Sequence, residues 1–423
     1  MTDTSDARGA RVERRTASSG PAGPRSMRRQ NLSLVLREVM EKGPRSRATI
    51  ADATGLTKST VSSLVADLTA RGLLSEAGQE ESGTVGRPGH LVAVSGCSVV
   101  GLGLEINVDY VAACVLDLTG AVRYERSEQR ENRGVPVPEV LDALARIARA
   151  ALRTSEAAGL TPVGATVAAP GLVDVDSGTL LVAPNLQWEG IALADEMARR
   201  LRRPHLPVIA DNEANLAALG ELWEGGGRAL GDFIHVSGEV GVGAGVVIGG
   251  ELVRGGVGFG GEFGHIPVRD DGQPCQCGSH GCLGRLVGQE ALLRAAGLDA
   301  DVGTRIGLPE GGAAALVERA AGGDPTTIAA LEEAGHTLGT AIATMVNLFA
   351  PNSVVLGGMY AALYEWMIAP LRAELQRRAF VLRYTDVAVV PSRLGAAAAV
   401  RGAASLTLRT VCADPYLLGT QAL

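Results

Sequence analysis

Residues 275–284 read CQCGSHGCLG and place three of the chain's six cysteines within eight positions. A loop that crowds three thiols must fold back on itself, and Gly278 and Gly281 are the residues that permit sharp turns there. The opening residues, MTDTSDARGARVERRTASSGPAGPRSMRR, lack the apolar centre of a signal peptide, and no run of about 18 apolar residues follows them. The expectation is a cytoplasmic protein with no membrane partner. In that compartment clustered thiols bind metal or do redox chemistry more often than they form structural disulfides. The stretch GEFGHI (261–266) brings His265 within ten residues of the first thiol. Cys97, Cys114 and Cys412 lie in apolar stretches and read as core thiols.

At 423 residues the chain exceeds one ordinary domain, and its charge is unevenly divided, +4 over residues 1–90 and −11 over residues 91–423. A small basic unit preceding a large acidic one fits an N-terminal part that meets phosphates. Residues 1–26 carry no apolar period and read as a disordered basic tail. From 27 to 95 the pattern is that of a winged helix-turn-helix, an α+β DNA-binding unit. Leu32, Val35, Leu36 and Val39 stripe a helix that Gly43-Pro44 stops. Ser46 can cap a short second helix closed by Gly55, and Thr57 a third whose Val61, Leu64, Val65 and Leu68 face inward. Lys58, Ser59, Thr60, Ser62 and Ser63 remain on the outer face or first turn, with no bulk to keep the helix out of a major groove. Two strands around a glycine-rich tip then read as a wing, with Arg87 placed to reach phosphate or the minor groove. Arg47 and Thr57 complete the expected contacts to a double-stranded DNA operator.

From residue 97 to 423 the texture is glycine-rich and alanine-rich. VVGLGLEI, DYVAACVLDL and AVRYERSEQ read as consecutive strands, followed by a helix at 139–159. The buried strand of VGATVAAPGLVD, the short strand LPVIADN and the helix EANLAALGELW follow, and this order indicates α/β lobes. The helical segment 325–349 suits a subunit contact and core burial equally well.

The stretches DNEANLAALGE (211–221), VGVGAGVVIGGELVRGGVGFGGEFGHIPV (240–268), CQCGSHGCLG and LFAPNSVVLGG (348–358) together resemble the ROK family of repressors, uncharacterised frames and sugar kinases, in its two-domain repressor form. The resemblance spans roughly residues 28 to 405. It implies an actin-like, ribonuclease-H-like fold of two α/β lobes with a cleft between them. It also implies a structural zinc ion on His265, Cys275, Cys277 and Cys282, a donor set that closes a tetrahedron and leaves no position for substrate. Asn185, Asn212, Glu213, Glu262 and His265 match the family's sugar-binding positions, where each hydroxyl can both donate and accept. With one imidazole nitrogen on the metal, the other faces a partner in a defined tautomer.

Three departures argue against phosphoryl transfer. Where the kinases carry D-x-G-G-T-K, this chain has Glu105, Ile106, Asn107, Val108, Asp109 and Tyr110. Where they carry G-T-G-x-G it has Glu239, Val240, Gly241, Val242 and Gly243, so carboxylates stand where phosphates would lie. Glu213 replaces a catalytic aspartate, and a longer arm misplaces a base whose geometry is strict. A fourth departure, Gly284 in place of a hydroxyl-binding glutamate, bears on the ligand. The expected function is a sugar-responsive transcriptional regulator of carbohydrate-utilisation genes, a repressor working as a homodimer or homotetramer, with a sugar or sugar-phosphate effector and no catalysis. An ATP-dependent sugar kinase carrying a DNA-binding head is the alternative. A DNA-binding protein with a dead pocket is the third.

Overall fold

Ser46 and Thr57 begin two helices by the same device. Each keeps an extended backbone while its side-chain oxygen accepts a first-turn amide, from Thr49 at 3.3 Å and from Thr60 at 3.2 Å. The computed structural model describes residues 24–79, 90–299 and 311–418. It opens with α1 (Pro24–Lys42), β1 (Arg45–Ser46), α2 (Arg47–Thr54), α3 (Lys58–Ala70), β2 (Leu74–Gln79) and β3 (His90–Val94). Gly55 ends α2 with φ 69°, a left-handed conformation that glycine adopts without strain. The strands pair antiparallel in the order β1-β3-β2 and complete a winged helix-turn-helix. Leu32, Val35, Leu36 and Val39 of α1 meet Val61, Leu64, Val65 and Leu68 of α3 in one buried core. These are the positions the helical period demands.

Two expectations are corrected here. The tail was expected to run to residue 26, yet α1 begins at Pro24. Its exposed first turns have no apolar stripe; ion pairs from Arg28 to Asp67 (2.9 Å) and from Arg29 to Asp414 tie them down, which periodicity cannot reveal. Cys97 is exposed because it sits in the turn between the head and the first strand of the body, whereas Cys114 and Cys412 are buried as expected. Residues 1–23 and Arg87 lie outside the described residues.

The body holds two five-stranded sheets. The first uses β4 (Val99–Ile106), β5 (Tyr110–Asp117), β6 (Val122–Gln129), β7 (Thr161–Ala169) and, after the small antiparallel sheet of β8 (Leu172–Asp174), β9 (Thr179–Ala183) and β10 (Trp188–Ile191), strand β11 (Val208–Asn212). The second uses β12 (Phe233–Gly238), β13 (Val242–Ile248), β14 (Glu251–Leu252), β15 (Ser353–Gly358) and β16 (Ala388–Pro391). The orders are β6-β5-β4-β7-β11 and β14-β13-β12-β15-β16. Both lobes therefore run third, second, first, fourth, fifth in their own count, an actin-like unit used twice.

Two helices exchange lobes. The helix Glu213–Trp223 leaves β11 of the first lobe yet packs on β12 and β13 of the second. The helix Ala398–Ala413 follows β16 of the second lobe and packs on β4, β5 and β7 of the first. They cross where side chains are absent: a Cβ on Gly402 would lie 1.9 Å from Leu216 O, and one on Gly220 would lie 2.3 Å from Ala398 O. The helix Ala398–Ala413 is also the seat of the DNA-binding head. Leu408, Val411 and Cys412 join the core of α1 and α3, and Arg228 donates to Glu41 O at 2.9 Å.

The helix Pro325–Phe349 spends its inner face within the chain. Gly335 and Gly339 bring it against the backbone of the helix Tyr364–Arg378, where an added Cβ would meet carbonyl oxygens at 2.6 Å. Among the described residues no helix is long and apolar enough to cross a membrane.

Candidate ligand cleft and metal centre

Asn212 and Glu213 stand where β11 gives way to a helix, and the helix start dictates their use. Asn212 Oδ1 accepts the amides of Ala214 (2.9 Å) and Asn215 (3.1 Å), while its Nδ2 donates to Gly171 O at 2.8 Å. One amide hydrogen is left for a ligand. Asn185, Asn212, Glu213, Glu262 and His265 all line a single cavity between the lobes, so the five side chains singled out from sequence converge.

Glu213 also lines a second, narrower cavity beside Glu105, Glu239 and the start of the helix Ala398–Ala413. Its Oε2 is buried without a partner. Loss of hydration, reinforced by the charges of Glu105, Asp109 and Glu262, pushes its carboxyl up to about 8. Burial likewise lifts Glu105 to about 7 against the pull of the Tyr110 phenol, which donates to Oε1 at 2.6 Å. Glu239 and Asp109 are raised by the same loss of hydration. Four carboxyl groups thus crowd one cleft.

Glu105 and Glu213 hold their protons more tightly folded than unfolded. Their contribution to stability is complete below about pH 4.5 and is lost as the pH rises through about 7 to 8. His235 tilts the acid side: buried with neither ring nitrogen partnered, it is pushed down to about 4, so stability falls as the pH drops from its ordinary range near 6.5 toward 4. Glu213→Gln is expected to flatten the alkaline decline by a few kcal/mol at pH 8. Urea midpoints at pH 5 and pH 8 check this, and an unchanged slope would mean that Glu213 is ionised in the fold.

The cysteine loop closes as its glycines allow. Gly278 (φ 91°) and Gly281 (φ 65°) both adopt left-handed backbone, and a Cβ on Gly281 would lie 1.7 Å from Arg269 O. One donor atom each from His265, Cys275, Cys277 and Cys282 lie within 4.8 Å of one another. His265 Nδ1 is 3.6 Å from Cys275 Sγ, and Cys277 Sγ is 3.7 Å from Cys282 Sγ. A zinc tetrahedron with bonds of ~2.3 Å to sulfur and ~2.0 Å to nitrogen has S···S and S···N edges of about 3.8 and 3.5 Å, which these two separations match. His265 Nε2 points away from the thiols toward Glu262, 4.0 Å off.

On the head, Lys58, Ser59, Ser62 and Ser63 are exposed along one face of α3, with Thr60 half-buried. Three of these hydroxyls are engaged within the helix: those of Ser59 (3.0 Å) and Thr60 (2.9 Å) bond the Oγ1 of the cap Thr57, and that of Ser62 donates to Lys58 O at 2.8 Å. Arg47 pairs with Glu76 of β2 at 3.4 Å. Sequence reasoning missed three charged residues of the cleft, Arg133, Arg285 and Glu290. It also missed the pairing of Asp211 in β11 with Arg254 beyond β14, at 3.0 Å. No local spacing links Arg133 to Glu290 or Asp211 to Arg254, which lie 157 and 43 residues apart.

The comparison with known families decides the lineage. The model described as the ROK family matches residues 101–410. This chain belongs to the ROK family. The model described as the MarR family matches residues 33–87, over the winged head. Among ROK relatives, a xylose repressor of Caldicellulosiruptor bescii is 29% identical over 395 residues, 91% of this chain and 97% of that protein. The crystal structure of a ROK family transcriptional regulator, a homologue of the E. coli MLC protein, superposes with TM-score 0.75 at 24% identity, over 94% of this chain and 99% of that one. A ROK glucokinase from Streptomyces griseus, solved with glucose and AMPPNP, gives TM-score 0.64 at 30% identity, over 73% of this chain and 99% of that one. The regulator shares head and body, and the kinase matches a shorter part of this chain.

Proposed function

We propose that this protein is a sugar-responsive, DNA-binding transcriptional repressor. Its operator is read by Lys58, Ser59, Thr60, Ser62 and Ser63, with Arg47, Thr57 and Arg87 on phosphate or in the adjacent groove. The observation that carries the reading is the double duty of the helix Ala398–Ala413. It crosses the helix that presents Glu213 to the cleft, and it seats the head through Leu408, Val411 and Cys412. A carbohydrate that draws the lobes together shifts that helix and the head with it, provided it favours one arrangement by differential affinity. A homodimer or homotetramer would turn this shift into a changed spacing of two reading heads on a symmetric operator.

The metal centre would hold zinc on His265, Cys275, Cys277 and Cys282. The ion supplies a closed structural anchor, and the chain's part is to orient His265 so that Nε2 meets a ligand hydroxyl beside Glu262. Asn185 and the remaining amide hydrogen of Asn212 serve other hydroxyls. A catalytic role is disfavoured by the buried carboxyls Glu105, Asp109, Glu213 and Glu239: protonated they offer a triphosphate neither a cation nor an open glycine loop, and ionised they repel it.

The test is selection of duplexes bound by the full chain from a random pool, followed by a carbohydrate panel. A symmetric site should be enriched, and one carbohydrate should weaken its binding by about ten-fold or more. Lys58→Ala should lower operator affinity and reduce the slope of log affinity on log salt by about 1. Failure to enrich any site, or ATP-dependent hexose phosphorylation lost in Glu213→Gln, would replace this reading with the kinase.

A further inference from the structure

We propose that the effector is an anionic sugar, a carbohydrate bearing a carboxylate or a phosphate that Arg133 and Arg285 hold together. This rests on the sugar-sensing reading above and narrows it. Arg133 comes from the turn after β6 in the first lobe and Arg285 from the one-turn helix Gly284–Val287 after the cysteine loop in the second. Both line the cavity that also holds Asn185, Glu262 and His265. Glu290 lies between the two guanidinium groups: Arg133 Nη2 bonds one of its oxygens, and Arg285 Nη1 is 3.8 Å from the other. One carboxylate therefore serves two guanidinium groups on this edge of the cavity.

Both arginines are also short of acceptors. Arg133 Nε and Arg285 Nε are each buried with no hydrogen-bond partner. Each side chain as a whole is about a third exposed, 35% for Arg133 and 32% for Arg285, so their Nη groups can take a planar or tetrahedral anion, two N–H groups matching two of its oxygens. Room for that anion exists beside Arg285. A Cβ on Gly284 would make only ordinary contacts, 3.4 Å from Gly264 O and 3.7 Å from Val242 N, so packing does not demand glycine there and the missing side chain leaves its volume to a ligand. Glu213 and Glu262, the other carboxyls of the cavity, are left to serve hydroxyls. Because the two arginines belong to different lobes, an anion between them ties the lobes while Glu290 gives up part of its hold.

Calorimetry on the full chain tests this with matched sets: xylose and xylonate; glucose, glucuronate, glucose 1-phosphate and glucose 6-phosphate; and inorganic phosphate alone. One anionic sugar should bind at least about ten-fold tighter than its neutral parent, as expected for a charge-assisted contact. Whether the carboxylate or the phosphate arm wins identifies the group. Arg133→Gln and Arg285→Gln should each remove most of that preference. Gly284→Glu adds a repelling carboxylate whose Cβ the backbone of Gly264 and Val242 admits without a clash, keeps the test alive if an arginine variant misfolds, and should invert the preference. A neutral sugar that binds as tightly as every anionic partner, or inorganic phosphate that binds as well as the sugar phosphates, overturns the proposal and leaves the sensing reading standing. No carbohydrate binding by a chain that still binds its operator overturns the sensing reading itself.

Discussion

Cys282→Ser is expected to abolish zinc binding at the proposed metal centre and to take most of the ligand affinity with it. Cys282 is fully buried, its sulfur lies 3.7 Å from that of Cys277, and its backbone bridges to Pro267. A serine hydroxyl does not replace a thiolate at a zinc site of this kind, and three remaining donors cannot close the coordination shell. His265 then loses the bond that fixes its tautomer and ring orientation beside Glu262, and disturbing such support at a metal site typically costs 10–100-fold. The wild-type chain should carry one zinc per chain by elemental analysis. The variant should retain about a tenth of that or less, bind its carbohydrate about 100-fold more weakly, and melt at a lower temperature. Full zinc occupancy with undiminished affinity in the variant would show that these four residues do not form a metal centre.

Gly402→Ala should be the most damaging small substitution in the body. The new methyl would lie 1.9 Å from Leu216 O, 2.8 Å from Leu216 C and 2.9 Å from Gly220 N. All three are backbone atoms of a helix that cannot yield locally, so the helices Glu213–Trp223 and Ala398–Ala413 must separate. Overpacking of this kind costs about 3 kcal/mol or more. Gly256→Ala is the control, since a Cβ there meets nothing within 4 Å. Denaturant midpoints should fall for Gly402→Ala and stay put for Gly256→Ala. Where enough Gly402→Ala folds to assay, its operator affinity should no longer respond to the carbohydrate, because the crossing carries the lobe movement to the head. A variant with wild-type stability and an intact response would remove the crossing from the mechanism.

Much of the fold was legible because it follows local rules. The stripe Val61, Leu64, Val65 and Leu68 is one helical face, and the caps at Ser46 and Thr57 are single-residue hydrogen-bonding events. The helix Glu213–Trp223 begins and ends where its sequence pattern does, since Asn212 is a strong cap. Asn185, Glu262 and His265 could be gathered into one cleft only through family resemblance, because nothing in their spacing makes them neighbours.

The sequence by itself determined the order of elements, the polar face of α3, and the crowding of three thiols near His265, four donors that the fold gathers within 4.8 Å. Tertiary structure alone decided that the lobes repeat one strand order, that two helices trade lobes across Gly220 and Gly402, and that Arg133, Arg285 and Glu290 meet. It also decided that Asn212 spends one amide hydrogen on Gly171 O, and that Cys97 sits outside the core. The reason is common to all of these. Helix periods, caps and turns are energies of a few consecutive residues, whereas burial and ion pairing depend on which distant segments the completed fold brings within a few ångströms.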